Sequence, residues 1–271
     1  MKLLVKIGGA QLEDPASRSI LVQALARARA AGHQLVLVHG GGNQIRELVR
    51  RLGLPERYHE GLRVTDAQTA DVVLQILAGS VNKELVAALC AAGLPAVGMC
   101  GADGGSFGAE PLHAAGIELG YVGRVQSVDA RLVETLLERG FTPVIATTAP
   151  LAIGAQGPRE RFYNINADMA AAPLAAALGC DAILFLTDVP AVLDARKQRL
   201  AELDARECAR LRSTGVIAGG MIPKVDAALE ALAACPGAQV KIAPAAGPDA
   251  VLQALSPAVG TLFRAEYATH G

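Results

Sequence analysis

Two short apolar segments of the chain end in glycines, and one of them contains a lysine. "VKIGG" places Lys6 ahead of Gly8 and Gly9, and "VHGGG" ends its own apolar run with Gly41 and Gly42. Because glycine has no Cβ, backbone N–H groups at these positions can approach an anion closely, and a following helix adds partial positive charge. A lysine among apolar residues is rarely buried without an anion. Together the two segments indicate a binding site for a phosphate or a carboxylate. Taken separately, each feature has a simpler explanation: the glycines can form a tight turn, and the lysine can lie on an exposed edge of the sheet.

Three other segments carry polar groups that suit anions. "NINAD" alternates Asn164, Asn166 and Asp168 ahead of an alanine-rich helix, and a helix cap accounts for Asn166 or Asp168 but hardly for all three. Lys224 follows two glycines near the start of a later helix, where a solvent-exposed lysine is the ordinary alternative. Arg63 in "GLRVTD" offers a planar guanidinium that can hold a carboxylate. The glycine run after the second strand has neither the G-K-[ST] ending of a Walker A motif nor G-x-G-x-x-G spacing.

The strand and helix patterns indicate how these residues come together. Residues 3–9 and 34–40 have strand patterns, and a helical pattern follows each of them, so the first fifty residues form a βαβα unit. Such units predict a mainly parallel sheet with helices on both faces. The carboxyl ends of neighbouring parallel strands share one edge of the sheet, where ligands bind. We therefore predict that both glycine segments lie at the same edge.

The rest of the chain continues this alternation, with one irregular part. A long helical pattern covers residues 65–93, where Thr65 and Gln68 have the spacing of a capping box. Between about residues 105 and 165 the pattern is less regular: residues 117–128 form a strand or hairpin, residues 129–140 a helix, residues 141–150 a buried strand, and residues 151–168 another hairpin. We predict one continuous sheet with two functional halves that meet near residues 165–185.

Composition limits the classes of function. The 271 residues carry a formal net charge of −1, so nothing indicates nucleic acid or an anionic membrane as the main partner. The five cysteines form no C-x-x-C pair, which favours small buried residues over a disulfide framework or a zinc site. No apolar segment reaches the ~20 residues that cross a bilayer, and the first residues lack a signal-peptide pattern. A cytoplasmic protein that binds a small molecule is the expectation.

The whole chain resembles the amino acid kinase family. Its motifs occur in the order and spacing of that family as "VKIGG", "VHGGG", "GLRVT", "NINAD", "TDVPAVLD" and "GGMIPK". The resemblance implies an α/β fold, an open αβα sandwich with a mainly parallel central sheet. It implies a single domain over residues 1–271, with an amino-acid-binding N-lobe at about residues 1–168 and an ATP-binding C-lobe at about residues 169–271.

The resemblance also implies a reaction. Within the family, the chain is most similar to members that phosphorylate the side-chain carboxylate of N-acetyl-L-glutamate in arginine biosynthesis. These enzymes use ATP with Mg²⁺, and the metal ion is held mainly by the nucleotide phosphates. The implied partners are therefore N-acetyl-L-glutamate and ATP, with no metal ligand from the protein.

Individual residues receive roles from the matching motifs. Lys6 and Lys224 correspond to the lysines that stabilise the transferring phosphoryl group, and Asp168 corresponds to the aspartate that orients them. Arg63 and Asn164 correspond to residues that hold the acylated amino acid. Backbone donors around the reacting groups correspond to Gly8, Gly9, Gly41 and Gly42. The nucleotide-binding loops correspond to Asp188, Val189, Pro190, Ala191, Val192, Leu193, Val216, Ile217 and Ala218.

Physical reasoning agrees with these roles. Attack of a carboxylate on the γ-phosphate brings two anions together, so the protein has to supply positioning and positive charge more than covalent chemistry. The reaction needs no nucleophilic histidine, serine or cysteine. We therefore expect His39, which stands beside the glycines, to be a structural hydrogen-bonding residue and not a base.

Two other functions fit part of this pattern. One is a sister kinase for N-succinylglutamate or carrier-linked aminoadipate, because the sequence does not define the acyl pocket. The other is a non-catalytic sensor of nucleotides or amino acids on the same fold. A sensor has no need for Lys6, Asp168 and Lys224 together, which favours the kinase.

Some positions depart from the pattern of the family. Ala102 stands where many relatives have a larger residue, often lysine, and Pro173 is expected to bend or shorten its helix. The chain begins on its first strand, without the N-terminal helix that links dimers into hexamers in arginine-inhibited relatives. Residues 256–267 lack an arginine-site pattern. The expectation is a homodimer without arginine feedback.

Overall fold

The computed structural model describes residues 1–265, so Glu266 and Tyr267 of the segment discussed above lie outside the described residues. The strands are β1 (Lys2–Ile7), β2 (Gln34–His39), β3 (Tyr58–His59), β4 (Leu62–Arg63), β5 (Ala96–Met99), β6 (Phe107–Pro111), β7 (Val122–Val128), β8 (Thr142–Ala146), β9 (Thr148–Ala149), β10 (Tyr163–Ile165), β11 (Ala182–Thr187), β12 (Glu202–Leu203), β13 (Gln239–Pro244) and β14 (Thr261–Phe263). The helices are α1 (Ala10–Glu13), α2 (Pro15–Ala30), α3 (Gly42–Arg51), α4 (Ala67–Leu74), α5 (Asn82–Ala91), α6 (Arg131–Glu138), α7 (Ala167–Leu178), α8 (Ala205–Ser213), α9 (Met221–Ala234) and α10 (Ala250–Leu255).

A sheet of eight strands forms the centre of the molecule, in the order β12-β14-β13-β11-β1-β2-β8-β5. Its neighbouring strands are parallel except for β13 and β14, so the predicted α/β fold with a mainly parallel sheet is confirmed. The sheet is continuous across β1 and β11, which are adjacent although about 175 residues separate them in the chain. β1 also pairs with β2, and β11 with β13, so the strand order changes direction at this central pair. Ligands of open α/β sheets bind at such a switch point.

The alternation of side chains along β1 assigns its residues to two separate layers. Leu3, Val5 and Ile7 belong to a buried apolar cluster that also contains residues of α2. Leu4 belongs to the cluster on the other face, which contains the alanines of α7. Lys6 has the same parity as Leu4 and therefore points towards α7.

A second, smaller sheet covers part of the irregular region of the sequence. It has four strands in the order β6-β7-β10-β9, and a separate two-stranded hairpin pairs β3 with β4. The sequence predicts a strand or hairpin at residues 117–128 and another hairpin at residues 151–168, but not a shared sheet. The strands β7 and β10 lie in these two segments and pair antiparallel with β6 and β9, and the parallel pair of β7 and β10 joins all four into one sheet.

The long helical pattern forms one continuous helix, Ala67–Ala91, with a π-helical part at Gln75–Val81. The predicted cap Thr65 is wrong, because the side chain of Asp66 accepts the hydrogen bond from the Thr69 N–H at 2.8 Å. The hydroxyl of Thr65 instead donates to the carbonyl of Arg63 at 2.7 Å. The Thr65 hydroxyl is therefore used in a contact with a residue two positions earlier, and the next residue, Asp66, caps the helix.

This helix is, within residues 1–265, the one segment long and apolar enough by length and composition to span a membrane. It contacts β5, β8 and α2 in the fold. Its buried Leu85 and Leu89 belong to the apolar cluster beneath the central sheet.

Two other expectations need correction. Pro173 does not shorten its helix, because α7 continues to Leu178 and ends at Gly179 in the left-handed conformation. Four of the cysteines are buried as expected, but Cys90 is exposed. It follows Leu89 on α5, and since Leu89 faces the core, the next position points outward.

A buried histidine connects the second glycine segment to the helix layer. Nδ1 of His39 lies 3.0 Å from the carbonyl oxygen of Gly40, and Nε2 lies 3.0 Å from Nδ2 of Asn82. Asn82 also donates to the carbonyl of Val144 on β8 at 2.9 Å. Burial lowers the pKa of His39 to about 4, so the ring is neutral near pH 7. The contacts of both ring nitrogens fit a structural residue and leave neither free to act as a base.

The lowered pKa of His39 predicts how stability depends on pH. Between the ordinary histidine pKa of about 6.5 and the folded value of about 4, the unfolded chain binds a proton that the folded chain does not bind. The contribution of neutral His39 to the free energy of unfolding is therefore complete above pH 6.5. As the pH decreases from 6.5 towards 4, this contribution falls by up to about 1.4 kcal/mol per pH unit.

Urea unfolding at several pH values between 4 and 7 measures this slope. The variant His39→Gln lacks the titrating ring and should show a smaller decrease in the free energy of unfolding over the same range. Equal slopes for the two proteins would contradict the assignment of a buried, neutral His39.

Candidate active site

One buried carboxylate holds two lysines at the switch point of the sheet. Asp168 lies in the first turn of α7, and its Oδ1 is 2.6 Å from Nζ of Lys6 on β1. Its Oδ2 is 3.7 Å from Nζ of Lys224, which lies in the first turn of α9. The structure thus brings together three residues that the sequence separates widely. Two ammonium groups against one carboxylate leave a local surplus of one positive charge.

Burial and the opposite charge of the partner shift the pKa values of Asp168 and Lys6 in opposite directions. Burial alone raises the pKa of Asp168, but the positive charges of Lys6 and Lys224 outweigh it and hold the pKa below its ordinary value. For Lys6, burial is the largest influence and lowers the pKa, Asp168 partly opposes it, and Lys224 adds to it. Asp168 is therefore ionised at neutral pH, and an incoming anion favours the charged form of Lys6.

The two glycine segments lie against each other, as the shared edge of β1 and β2 predicts. A Cβ on Gly9 would lie 3.3 Å from the backbone nitrogen of Gly42. A Cβ on Gly41 would lie 2.9 Å from Leu77 and 3.3 Å from Val81, both in the π-helical part of the long helix. A Cβ on Gly8 would approach the side-chain oxygen of Gln11 to 2.6 Å, whereas one on Gly42 would meet nothing within 4 Å. Gly42 alone among these four faces open space.

That open space belongs to a cavity of about 290 Å³ beside the lysines. Lys6 and Asp168 line one part of it, and Arg63 and Asn164 also line it together with Gly41 and Gly42 of the second glycine segment. Asn164 donates from Nδ2 to the hydroxyl of Thr65 at 3.2 Å, which fixes its amide. The size suits a small molecule more than a macromolecule.

The three polar residues of "NINAD" have three different positions. Asn166 caps α7, because its side chain accepts the hydrogen bond from the Asp168 N–H at 2.8 Å. Asn164 comes from β10 and lines the cavity. Asp168 faces the lysines. The cap explains one residue, as the sequence suggested, and the other two are left for a ligand site.

Arg63 is buried, and its guanidinium makes contacts that sequence reasoning missed. Nη1 donates to Oε1 of Glu56 at 2.7 Å, and Nη2 donates to the carbonyl of Gly42 at 3.1 Å. The guanidinium lies 4.8 Å from the centre of the Tyr58 ring. Arg46 on α3 also lines the cavity and binds the same Glu56 oxygen at 3.3 Å. Its position one helical turn after Gly42 is a signal in the sequence that pointed to this cavity.

A second cavity of about 370 Å³ lies at the loops after β11 and before α9. Several predicted nucleotide-binding residues line it, namely Val189, Ala191, Val192, Leu193 and Val216. The remaining ones, Asp188, Pro190, Ile217 and Ala218, flank it in sequence without lining it. Met221 of α9 also lines this cavity, and Lys224 follows one turn later on the same helix. The helix α9 thus connects the second cavity with Asp168.

Among the described residues that line the first cavity, Asp168 is the one carboxylate. Over residues 1–265, no group of three or more histidine, cysteine, aspartate or glutamate side chains is arranged to hold a metal ion. Asp168, the carboxylate nearest the reaction site, already faces two lysines. A Mg²⁺ ion bound mainly by nucleotide phosphates is compatible with this arrangement.

Comparisons with known proteins agree with the geometry. The sequence profile of the amino acid kinase family matches residues 1–243. An acetylglutamate kinase from Solibacter usitatus is 44% identical over 257 residues, which cover 94% of this chain and 96% of that protein. Another from Geobacillus kaustophilus is 45% identical over 231 residues, 85% of each chain. A crystal structure of a Streptococcus mutans protein has a TM-score of 0.81 at 30% identity and covers 98% of this chain and 99% of its own.

The different surroundings of Gly41 and Gly42 predict different effects of a methyl group. Gly41→Ala should lower the free energy of unfolding by about 1–2 kcal/mol, because the new Cβ presses on Leu77 and Val81. Gly42→Ala should leave stability nearly unchanged and raise the KM for the cavity's ligand, because its methyl group enters open space. Urea unfolding and steady-state kinetics on both variants separate the two effects, and equal destabilisation by both substitutions would contradict the packing described here.

Proposed function

The chain belongs to the amino acid kinase family, and we propose that it transfers the γ-phosphoryl group of ATP to the side-chain carboxylate of N-acetyl-L-glutamate. The product is N-acetyl-L-glutamyl 5-phosphate, an intermediate of arginine biosynthesis. The acetylglutamate kinases named above support this substrate, since they match the chain over most of its length. The observation that carries the proposal is the pair of lysines on one buried aspartate, at the edge of a small cavity that also contains a guanidinium.

The reaction requires little covalent chemistry from the protein. An oxygen of the acceptor carboxylate forms a bond to the γ-phosphorus, and the bond from that phosphorus to the β–γ bridging oxygen breaks. ADP leaves with the electron pair of the broken bond. The attacking carboxylate carries no proton, so no side chain has to remove one, and the neutral, buried His39 is consistent with this.

In our proposal Lys6 and Lys224 stabilise the charge that spreads over the transferring phosphoryl group. Asp168 keeps both ammonium groups in place before the substrates arrive, and it cancels only one of the two positive charges. The backbone N–H groups of Gly8 and Gly9, with those of Gly41 and Gly42, act as further donors to the reacting oxygens. Mg²⁺, when bound with the nucleotide, neutralises further phosphate charge.

The two cavities suggest how the substrates divide between the lobes. We propose that the cavity with Arg63 and Asn164 holds the acylated amino acid in the N-lobe, at about residues 1–168. The second cavity, whose lining includes Val189, Leu193 and Val216, holds the nucleotide in the C-lobe, at about residues 169–271. Lys6 belongs to the N-lobe and Lys224 to the C-lobe. The phosphoryl group is therefore transferred from the nucleotide in the C-lobe to the amino acid in the N-lobe, with one lysine from each lobe beside it.

We also propose a homodimer in the cytoplasm. The helix Ala67–Ala91 supports the dimer, because only 39% of its most apolar stretch is buried within the chain. The edge strand β5 lies beside this helix and is paired on one side by β8. The cytoplasmic location rests on the biosynthetic role of the relatives.

Removal of Lys224 tests the phosphoryl-transfer site. Lys224→Met should lower kcat by roughly 10²-fold or more, because a preorganised positive charge next to the transition state is lost. KM values for both substrates should change much less, since Lys224 is assigned to the transition state and not to ground-state binding. Steady-state kinetics with an unfolding curve as a control checks this, and turnover equal to that of the unmodified protein would refute the mechanism.

The substrate is tested by ADP release from Mg-ATP with a panel of acceptors. We expect turnover with N-acetyl-L-glutamate and much lower kcat/KM with N-succinylglutamate, N-acetylaspartate and N-acetylaminoadipate. A preference for another acylated amino acid would establish a sister kinase. No turnover with any acceptor, together with measurable binding of ATP, would instead favour a sensor.

A further inference from the structure

Arg46 and Arg63 both line the cavity and share one carboxylate, that of Glu56. Both guanidinium groups bind Oε1 of Glu56, at 3.3 Å from Nε of Arg46 and 2.7 Å from Nη1 of Arg63. The hydroxyl of Tyr58 donates to the same oxygen at 2.7 Å. Both guanidinium groups also lie near the Tyr58 ring, at 5.9 Å and 4.8 Å from its centre. These residues therefore form one connected group.

The charges in this group do not cancel. The hydrogen bond from Tyr58, with those from Arg63 and Arg46, holds the pKa of Glu56 below its ordinary value, so Glu56 is ionised. Glu56 neutralises one guanidinium, and Arg63 is the better placed partner because its contact is shorter and its side chain is more buried. Without Arg46, the pair of Arg63 and Glu56 would be neutral and would attract a carboxylate only weakly.

Arg46 has the freedom to meet a ligand. Its side chain is about half exposed, at 52%, and it lines the cavity while Glu56 does not. Its contacts to Asn43 at 3.2 Å and to Tyr58 at 3.4 Å are long, so a stronger acceptor can replace them.

We propose that Arg46 supplies the uncompensated positive charge that binds the second carboxylate of the substrate, the one that does not receive the phosphoryl group. Glu56 acts as a positioning residue that holds the two guanidinium groups beside each other. Arg46 is thereby a determinant of specificity for dicarboxylic over monocarboxylic acyl amino acids. The inference rests on the proposed function, because it assumes a substrate with two carboxylates.

Two substrates isolate this contact. N-acetyl-L-glutamate has both carboxylates, and 4-acetamidobutanoate is the same molecule without its α-carboxylate. Arg46→Gln should raise the KM for N-acetyl-L-glutamate roughly tenfold, as the loss of one charge-assisted contact does, with little change in kcat. For 4-acetamidobutanoate, the KM of the Arg46→Gln variant should equal that of the unmodified protein, because this substrate lacks the carboxylate that Arg46 binds.

Two further variants separate charge from structure. Arg50→Gln is the matched control, since Arg50 is an exposed arginine on the same helix that pairs with Glu47 and does not line the cavity. The double variant Arg46→Gln with Glu56→Gln restores one uncompensated charge on Arg63. It should recover most of the lost affinity for N-acetyl-L-glutamate, whereas a merely structural role of the Arg46–Glu56 contact predicts a further loss.

The outcomes distinguish this inference from the proposed function. If the unmodified protein does not phosphorylate N-acetyl-L-glutamate, the proposed function fails. If it does, and Arg46→Gln has an unchanged KM, or the KM rises equally for both substrates, the role of Arg46 is refuted. Failure of the double variant to recover affinity refutes the charge argument in the same way.

Discussion

The contact of one buried carboxylate with two ammonium groups is the interaction on which the rest of the site depends. Two lysines close together repel each other, and burial adds the cost of removing their water. Asp168 offsets both effects, and it can do so only if α7 begins above the carboxyl ends of β1 and β11. The central sheet, the cap of α7 and the start of α9 are therefore arranged around this one side chain.

The glycines of the site serve two different purposes. At Gly9 and Gly41 the space for a Cβ is occupied by other parts of the protein, so these glycines allow two loops and a helix to pack closely. At Gly42 the space is empty and faces the cavity. Two adjacent glycines, Gly41 and Gly42, thus differ in their surroundings, one packed against a helix and one facing the cavity, although the sequence alone does not distinguish them.

Much of the fold was predictable because it depends on local patterns. The central strands and the helices between them follow from apolar periodicity, and Lys6 and Asp168 were identifiable as polar residues with no local partner. The joined second sheet was missed because β9 and β10 are short and the parallel pair that joins the sheet connects β10 with the distant β7. Arg46 and Glu56 resemble ordinary surface charges until the β3–β4 hairpin lies beside α3, and the error at Thr65 arose because Arg63 takes the hydroxyl that a local cap would use. Contacts between separate segments decided the first two cases, whereas the Thr65 hydroxyl bonds a residue only two positions away.

The wide separation of the three charged residues in the chain has a consequence for synthesis on the ribosome. β1 is made first and can pair with β2 at once, but its other neighbour β11 and the helix with Lys224 are made much later. A nascent chain that ends at residue 168 already contains the residues of the first cavity but still lacks Lys224 and the lining of the second cavity. Premature release of the polypeptide before residue 224 therefore yields a fragment in which Asp168 has only one of its two lysine partners.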